Sequence, residues 1–274
     1  MQSKIVPFFL YLFLIAGCST QNSSSQLHAL FDEEWAFRLQ EDPLFATTVG
    51  FHDYDDRLPA VTEADQTRRN EYYRDLMERL QQVDRASLSR TDQINYDIFK
   101  RQIWDAIESY KFKSYLIPFT SDDGFHIAFA RLPNQVPHAT AKDYENYIKR
   151  LNAFPAYVDE HIDLLRQGIG VGMTMPRVVL EGYDVTMKTH IVKNAAKSVF
   201  YKPFEKIPST LPADEQDRLR TLGEKAILDG VVVGYQKLLD FMVDEYVPKA
   251  RTSIGASDLP NGREYYAQRV KYFT

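Results

Sequence analysis

The sequence predicts a mostly α protein, an irregular multi-helix array joined by loops rich in Pro, Gly and Asp. Three observations predict it. Apolar residues recur at three- and four-residue steps over long segments, the spacing that lines one face of a helix. A hydroxyl residue followed three positions later by an acid stands where two of these runs begin, as at a capped helix start. Strand signals are sparse, and no repeat of about 20 to 50 residues points to a solenoid.

The chain opens with one cation, Lys4, an apolar run from Ile5 to Ala16, and then Gly17 and Cys18. This is the layout of an export signal. Its apolar core is shorter than the roughly 20 residues a helix needs to cross a bilayer, so cleavage is expected rather than a permanent span. Ile15-Ala16-Gly17-Cys18 has the form of a lipobox, where the cysteine thiol is acylated and the preceding peptide is removed. An ordinary signal that merely contains a cysteine is the alternative. The lipobox reading is favoured because the only cysteine of the chain falls where that chemistry requires it.

Residues 1–17 are therefore read as a lipoprotein signal peptide, and the polar, Ser-rich residues 18–26 as a lipidated flexible tether. The body follows over residues 27–274. Ser19 rather than an aspartate follows Cys18, which points to the outer membrane, with the body facing the periplasm. The expected partner at this end is membrane lipid, held through acyl chains that each contribute about 0.8 kcal/mol per buried methylene.

Within the body, Tyr73, Leu76, Met77, Leu80 and Val83 mark a helix over residues 71–83. Ser89 and Asp92 resemble a capping box that opens a second helix through Ile94, Ile98, Ile103 and Ile107. Thr140 and Asp143 open a third through Tyr144, Tyr147, Ile148 and Leu151. Pro155 is expected to kink or interrupt it before Tyr157, Val158, His161, Leu164 and Leu165 resume. The longest pattern starts near Pro212, carries Leu219, Leu222, Tyr235, Leu238, Leu239, Met242 and Tyr246, and should end at Pro248. Residues 52–59, 117–137 and 201–212 read as loops. Residues 176–180 are the best short strand candidate and could equally start a helix with Pro at its first turn.

Removing the leader leaves 32 Lys and Arg against 38 acids, a net charge of about −6, so no nucleic-acid partner is implied. With its one cysteine committed to lipid the chain can form no internal disulfide, and core burial must hold the fold.

The chemistry-bearing groups are scattered. None of the six histidines forms a His-Glu-x-x-His pair, the simplest helical device for zinc. Two loop clusters, His52 with Asp53, Asp55 and Asp56, and Asp122 and Asp123 with His126, could hold a metal or exchange protons. Acidic loops are also made acidic for solubility, and that reading is favoured because neither spacing matches a coordination pattern. The glycines from Gly168 to Gly172 superficially suggest a phosphate loop. They follow a helix and lack a Lys-Ser or Lys-Thr pair, so a helix end and turn is preferred. No Gly-x-Ser-x-Gly elbow occurs.

Several segments taken together resemble a known family. Trp35, Asp42-Pro-Leu-Phe-Ala-Thr-Thr-Val-Gly50, Gly168-Ile-Gly-Val-Gly-Met-Thr-Met-Pro-Arg177, Tyr201-Lys-Pro-Phe204, Tyr246-Val-Pro-Lys-Ala-Arg251 and Leu259-Pro-Asn-Gly-Arg-Glu-Tyr-Tyr266 resemble the N-terminal half of the bacterial domain-of-unknown-function family 885. The resemblance implies an exported, mostly helical protein about twice this length, similar to zinc metallopeptidases. Its His-Glu-x-x-Pro-Gly-His segment would lie beyond Tyr266, so the chain is expected to stop before the metal-binding half, and no family ligand transfers onto a residue here.

In a full-length relative, two histidines and a carboxylate would bind zinc, and the motif glutamate would act as general base for attack of water on a peptide carbonyl. This chain would then be the scaffold, without cofactor or catalytic residue of its own, its partners a peptide substrate and the missing C-terminal half. Arg177, Tyr265 and Tyr266 are the positions to examine for contact with the cleft. A terminal ion pair for Arg177 and a packed helix face for the tyrosines are the plainer readings, and are favoured. The alternative function is a non-enzymatic outer-membrane lipoprotein that binds a peptide or protein partner.

Overall fold

The computed structural model describes residues 22–120 and 122–274. The signal, the lipobox and Cys18 lie outside the described residues. Within them the protein is an array of helices without a sheet; the extended contacts are two isolated bridges, Phe119 with Gly124 and Pro176 with Arg251. None of the described helices is long and apolar enough to cross a membrane.

The first region is a helical trio. Helix α1 (Ser23–Glu41) is capped by Asn22, whose side chain accepts from Ser24 N. The tether expected over residues 18–26 is thus corrected at its end, because Ser23 to Gln26 form the first turn of α1. Asp92 holds that turn by accepting from the Ser24 hydroxyl at 3.0 Å and meeting the His28 ring at 3.0 Å, and Leu27 is fully buried. Helix α2 (Pro43–Thr48) follows at once, with Asp42 as its cap and Pro at its first position.

Helix α3 (Glu63–Gln81) starts well before residue 71, at a Thr62–Asp65 capping box of the same kind as those read elsewhere. Helix α4 (Arg90–Lys111) is capped by Ser89, which accepts from Asp92 N; the Asp92 carboxylate is turned to α1 instead of back to Ser89, so only half of the expected box forms. The core of this trio is Leu27, Leu30, Leu76, Leu80, Val83, Leu88, Tyr96, Phe99 and Ile103. On α4 the inward face is therefore Tyr96, Phe99 and Ile103, while Ile94 and Ile98 point outward, which shifts the expected phase of this helix.

The second region is the main body. Short α5 (Phe125–Ala130) leads to α6 (Ala141–Val171), opened by the Thr140–Asp143 capping box and closed by Gly172 in the left-handed conformation, φ 78°. Gly168 to Gly172 are accordingly a helix end and turn. Pro155 does not interrupt α6. The Leu151 carbonyl, which Pro155 cannot serve with an N–H, faces Gly230 so closely that a β-carbon there would come within 2.4 Å.

Residues 176–180 form neither strand nor α-helix: Pro176 makes a single parallel bridge and a 3-10 turn runs over Arg177–Leu180. Helices α7 (Val185–Lys188) and α8 (Lys202–Glu205) are single turns. The long C-terminal pattern is one continuous rod, α9 (Ala213–Ala226), α10 (Val233–Phe241) and α11 (Val247–Lys249), joined by π-turns at Ile227–Val232 and Met242–Tyr246. Glycines let the rod approach its neighbours: a β-carbon at Gly234 would meet the Phe154 ring at 2.5 Å and one at Gly223 the Phe204 ring at 2.4 Å. Helix α12 (Gly262–Phe273) ends the described chain.

Candidate functional site

Arg177, one of the predicted contact positions, acts within the fold. Its guanidinium donates to the carbonyls of Val247 at 3.1 Å and Pro248 at 2.6 Å, at the end of α11, and its backbone N–H donates to Arg251 O at 2.8 Å. The bonds satisfy carbonyls left open where the rod stops. Arg251 reciprocates, donating from Nε to Thr174 O at 3.0 Å and from Nη1 to Ser253 O and Gly255 O at 2.8 Å each. Two arginines thus tie the turn after α6 to the turn before α12.

This clamp presents α12. Gly262 lets its first turn sit on residues 256–257, where a β-carbon would meet Ala256 O at 2.3 Å. Tyr265 is half-buried with its ring 5.7 Å from Phe112, so it packs inward as a helix face. Tyr266 points out, and with Val270 and Phe273 (75% exposed), one and two turns on, it makes an open, partly aromatic face. The three predicted positions therefore separate: a carbonyl clamp, a packing residue and an exposed ring.

The two loop clusters resolve differently. Asp55 is buried; it accepts from the Thr47 hydroxyl at 2.5 Å, meets the His52 ring at 2.8 Å and lies 3.7 Å from Arg150. Arg150, 0% exposed on α6, donates to the carbonyls of Arg57 at 2.9 Å, Pro43 at 2.8 Å and Tyr54 at 3.2 Å. Burial lowers its pKa to about 10, and Asp55 pulls the other way. The solvated-loop reading is corrected for Asp55, since this buried network fastens the 43–57 segment to α6.

In the second cluster the acids and the imidazole part company. Asp122 and Asp123 are exposed and hydrogen-bond with Thr120, whereas His126 turns inward, its Nε2 3.1 Å from the Thr186 hydroxyl. His161 is sealed in beside it, stacked on Phe125 at 3.7 Å and edge-on to Tyr157 at 4.6 Å, and neither ring nitrogen has a partner. Burial pushes the pKa of His126 down to about 4 and that of His161 to about 3, and each is lowered further by a neighbouring imidazole. Both rings are neutral parts of the core.

Among the described residues no three His, Cys, Asp or Glu side chains come together as a metal site. A zinc ion does not fit the donors found here: His52 is tied to Asp55, His126 to Thr186, and His161 is enclosed by aromatic rings. A cavity of about 580 Å3 opens between α1–α3 and α5–α6 and is lined by Phe37, Phe45, Val61, Tyr157, Arg69 and Arg131 among others. Sequence reading missed Arg150 and Asp55 as a buried pair. The available signal was a lone arginine on the apolar face shared by Tyr147, Leu151 and Phe154.

These features define an all-helical scaffold with an arginine-clamped C-terminal turn and an open aromatic end. The chain belongs to the family described as bacterial protein of unknown function, DUF885, whose model matches residues 43–274. No curated protein matches it. The crystal structure of "the putative lipoprotein from Colwellia psychrerythraea" has the same fold, with a TM-score of 0.80 and 18% identity over 91% of this chain and 46% of its own. This chain spans less than half the length of that relative.

Proposed function

We propose that this chain is the scaffold portion of an exported lipoprotein, acylated at Cys18, lipid-anchored at the outer membrane and facing the periplasm. In the same reading it resembles zinc metallopeptidase-like hydrolases without being catalytic by itself. The observation that carries the proposal is α12. Its inner face buries Gln268 and packs Tyr265, while Tyr266, Val270 and Phe273 stand in solvent on the other. An aromatic face of this kind marks a protein contact.

The seated partner would be the metal-bearing portion that the family resemblance implies, with zinc in that portion and a peptide as substrate. The shared fold of a longer protein described as a putative lipoprotein supports the reading. The test is to read the gene past Thr274. An in-frame His-Glu-x-x-Pro-Gly-His segment supports it, and a stop codon with no companion gene overturns it in favour of a non-enzymatic lipoprotein that binds a peptide or protein partner. Calorimetric titration of the isolated chain with zinc, run with a peptide-cleavage screen, is expected to show neither tight binding nor turnover.

A further inference from the structure

The helical trio carries a second apolar surface. Helices α1 and α4 run parallel and in step: the Ser24 hydroxyl donates to Asp92 at their N-terminal ends, and Phe31 meets Phe99 edge-on at 4.8 Å two turns further along. Between them lies a shallow groove of about 450 Å3 whose lining includes Phe31, Trp35 and Ile98. Trp35 is 45% exposed and Ile98 53%, and Ile94, one turn before Ile98, is 45% exposed. The acid beneath them, Glu34, is matched by Arg38 at 2.7 Å, and a second acid, Asp32, lines the same groove and is exposed. Single exposed apolar residues are ordinary, but three large ones in one stripe beside the half-buried Phe31 are not.

We propose that this stripe lies against the bilayer that holds the anchor, the α1–α4 pair resting on its side at the lipid–water interface. The inference rests on the acylation of Cys18 proposed above. Five peptide steps separate Cys18 from Ser23, and together they span at most about 17 Å. The start of α1 is thus held at the membrane surface whatever path those residues take. Along the helix, Phe31 lies about 12 Å and Trp35 about 18 Å from Ser23. A helix lying flat therefore brings the whole stripe to the interface within reach of the anchor. Indole beside aliphatic side chains is the composition that settles at that depth.

The two tryptophans of the chain make the test direct. Trp35 is in the stripe, whereas Trp104 is half-buried under Arg101 and Lys271. The acylated full chain is reconstituted into vesicles of phosphatidylethanolamine and phosphatidylglycerol with brominated acyl chains, as Trp104→Phe and as Trp35→Phe. Flotation, fatty-acid incorporation and helical circular dichroism are measured on the same samples. Trp35 emission is expected to fall roughly twofold and shift to the blue, and Trp104 emission to stay unchanged. Adding Ile98→Asp to the Trp104→Phe chain should abolish the quenching while flotation persists.

Acylated, floating protein with unquenched Trp35 overturns the proposed surface and leaves the anchor standing. Protein that neither incorporates fatty acid nor floats overturns both. A concentration-dependent blue shift without bromine quenching assigns the stripe to a second copy of the chain, and also overturns the proposal.

Discussion

The helical trio of α1, α3 and α4 and the main body around α6 and the C-terminal rod are both helix-on-helix packings, yet they are held differently. The body closes through backbone approach: Gly223, Gly230 and Gly234 sit where a β-carbon would strike Phe204, Leu151 or Phe154. Its neighbours are large buried rings such as Tyr144, Tyr147, Phe200 and Tyr235. The trio has a narrower core and is laced outside by arginine–carboxylate pairs, Arg68 and Arg69 with Glu41, Arg79 with Glu33, and Arg85 with Asp97. Close-packed interiors transmit every added or missing atom, whereas solvent-exposed ion pairs contribute little each. The difference therefore sets where the molecule is brittle and where it is tolerant, and it can be tested at four places.

The largest effect should come from Arg150, which fastens residues 43–57 to the body. Arg150→Ala leaves Asp55 buried without its cation and several carbonyls without their donor, and is expected to cost about 3 to 5 kcal/mol in urea denaturation. A loss under about 1 kcal/mol would show that the body does not depend on this network.

Acid should break the body before it breaks the trio. His126 and His161 are held neutral in the fold by burial, with pKa values of about 4 and about 3, and they regain the ordinary value near 6.5 when unfolded. Between roughly pH 6.5 and 4 the unfolded chain binds more protons, so stability is full above that window and falls as the pH drops through it, by about 3 kcal/mol for each ring. His161→Phe, which keeps the stack on Phe125, should flatten the dependence. An unchanged pH profile of urea midpoints in that variant would rule out His161 as a source.

A smaller effect tests the glycine contacts. Gly230→Ala would gain helix propensity of about 1 kcal/mol on an open surface. Here the added methyl meets the Leu151 carbonyl at 2.4 Å, and the change is expected to destabilise by about 1 to 3 kcal/mol. A rise in thermal midpoint would mean that the rod can slide away from α6.

The smallest effect belongs to the trio. Asp97→Asn weakens the pair with Arg85 at 2.6 Å, and both of those side chains are exposed. The expected loss is the least of the four and should vanish in high salt. A salt-insensitive loss as large as that of Arg150→Ala would erase the contrast between the two regions.

Much of this architecture is local and so was legible in the sequence. Capping at Thr140 and Asp143, the glycine end of α6, and the apolar spacing from Leu219 to Tyr246 are dictated within one or two helical turns, and the structure has them, with Leu222 of that apolar set turned to solvent. His161 fell on the apolar face of its helix, and it is buried there. What the tertiary structure decided were choices between faces and partners. Ile94 and Ile98 have the same spacing as Tyr96, Phe99 and Ile103, and only the position of α1 and α3 selects which set is buried. Asp55 and Arg150, far apart in the chain, became a buried pair because folding the 43–57 segment onto α6 removed both from water. Asp122 and Asp123 parted from His126 because the turn at Gly124 sends the acids to solvent and the ring into the core. Short-range rules set the helices, but burial is a property of what lies opposite, and no single segment carries that information.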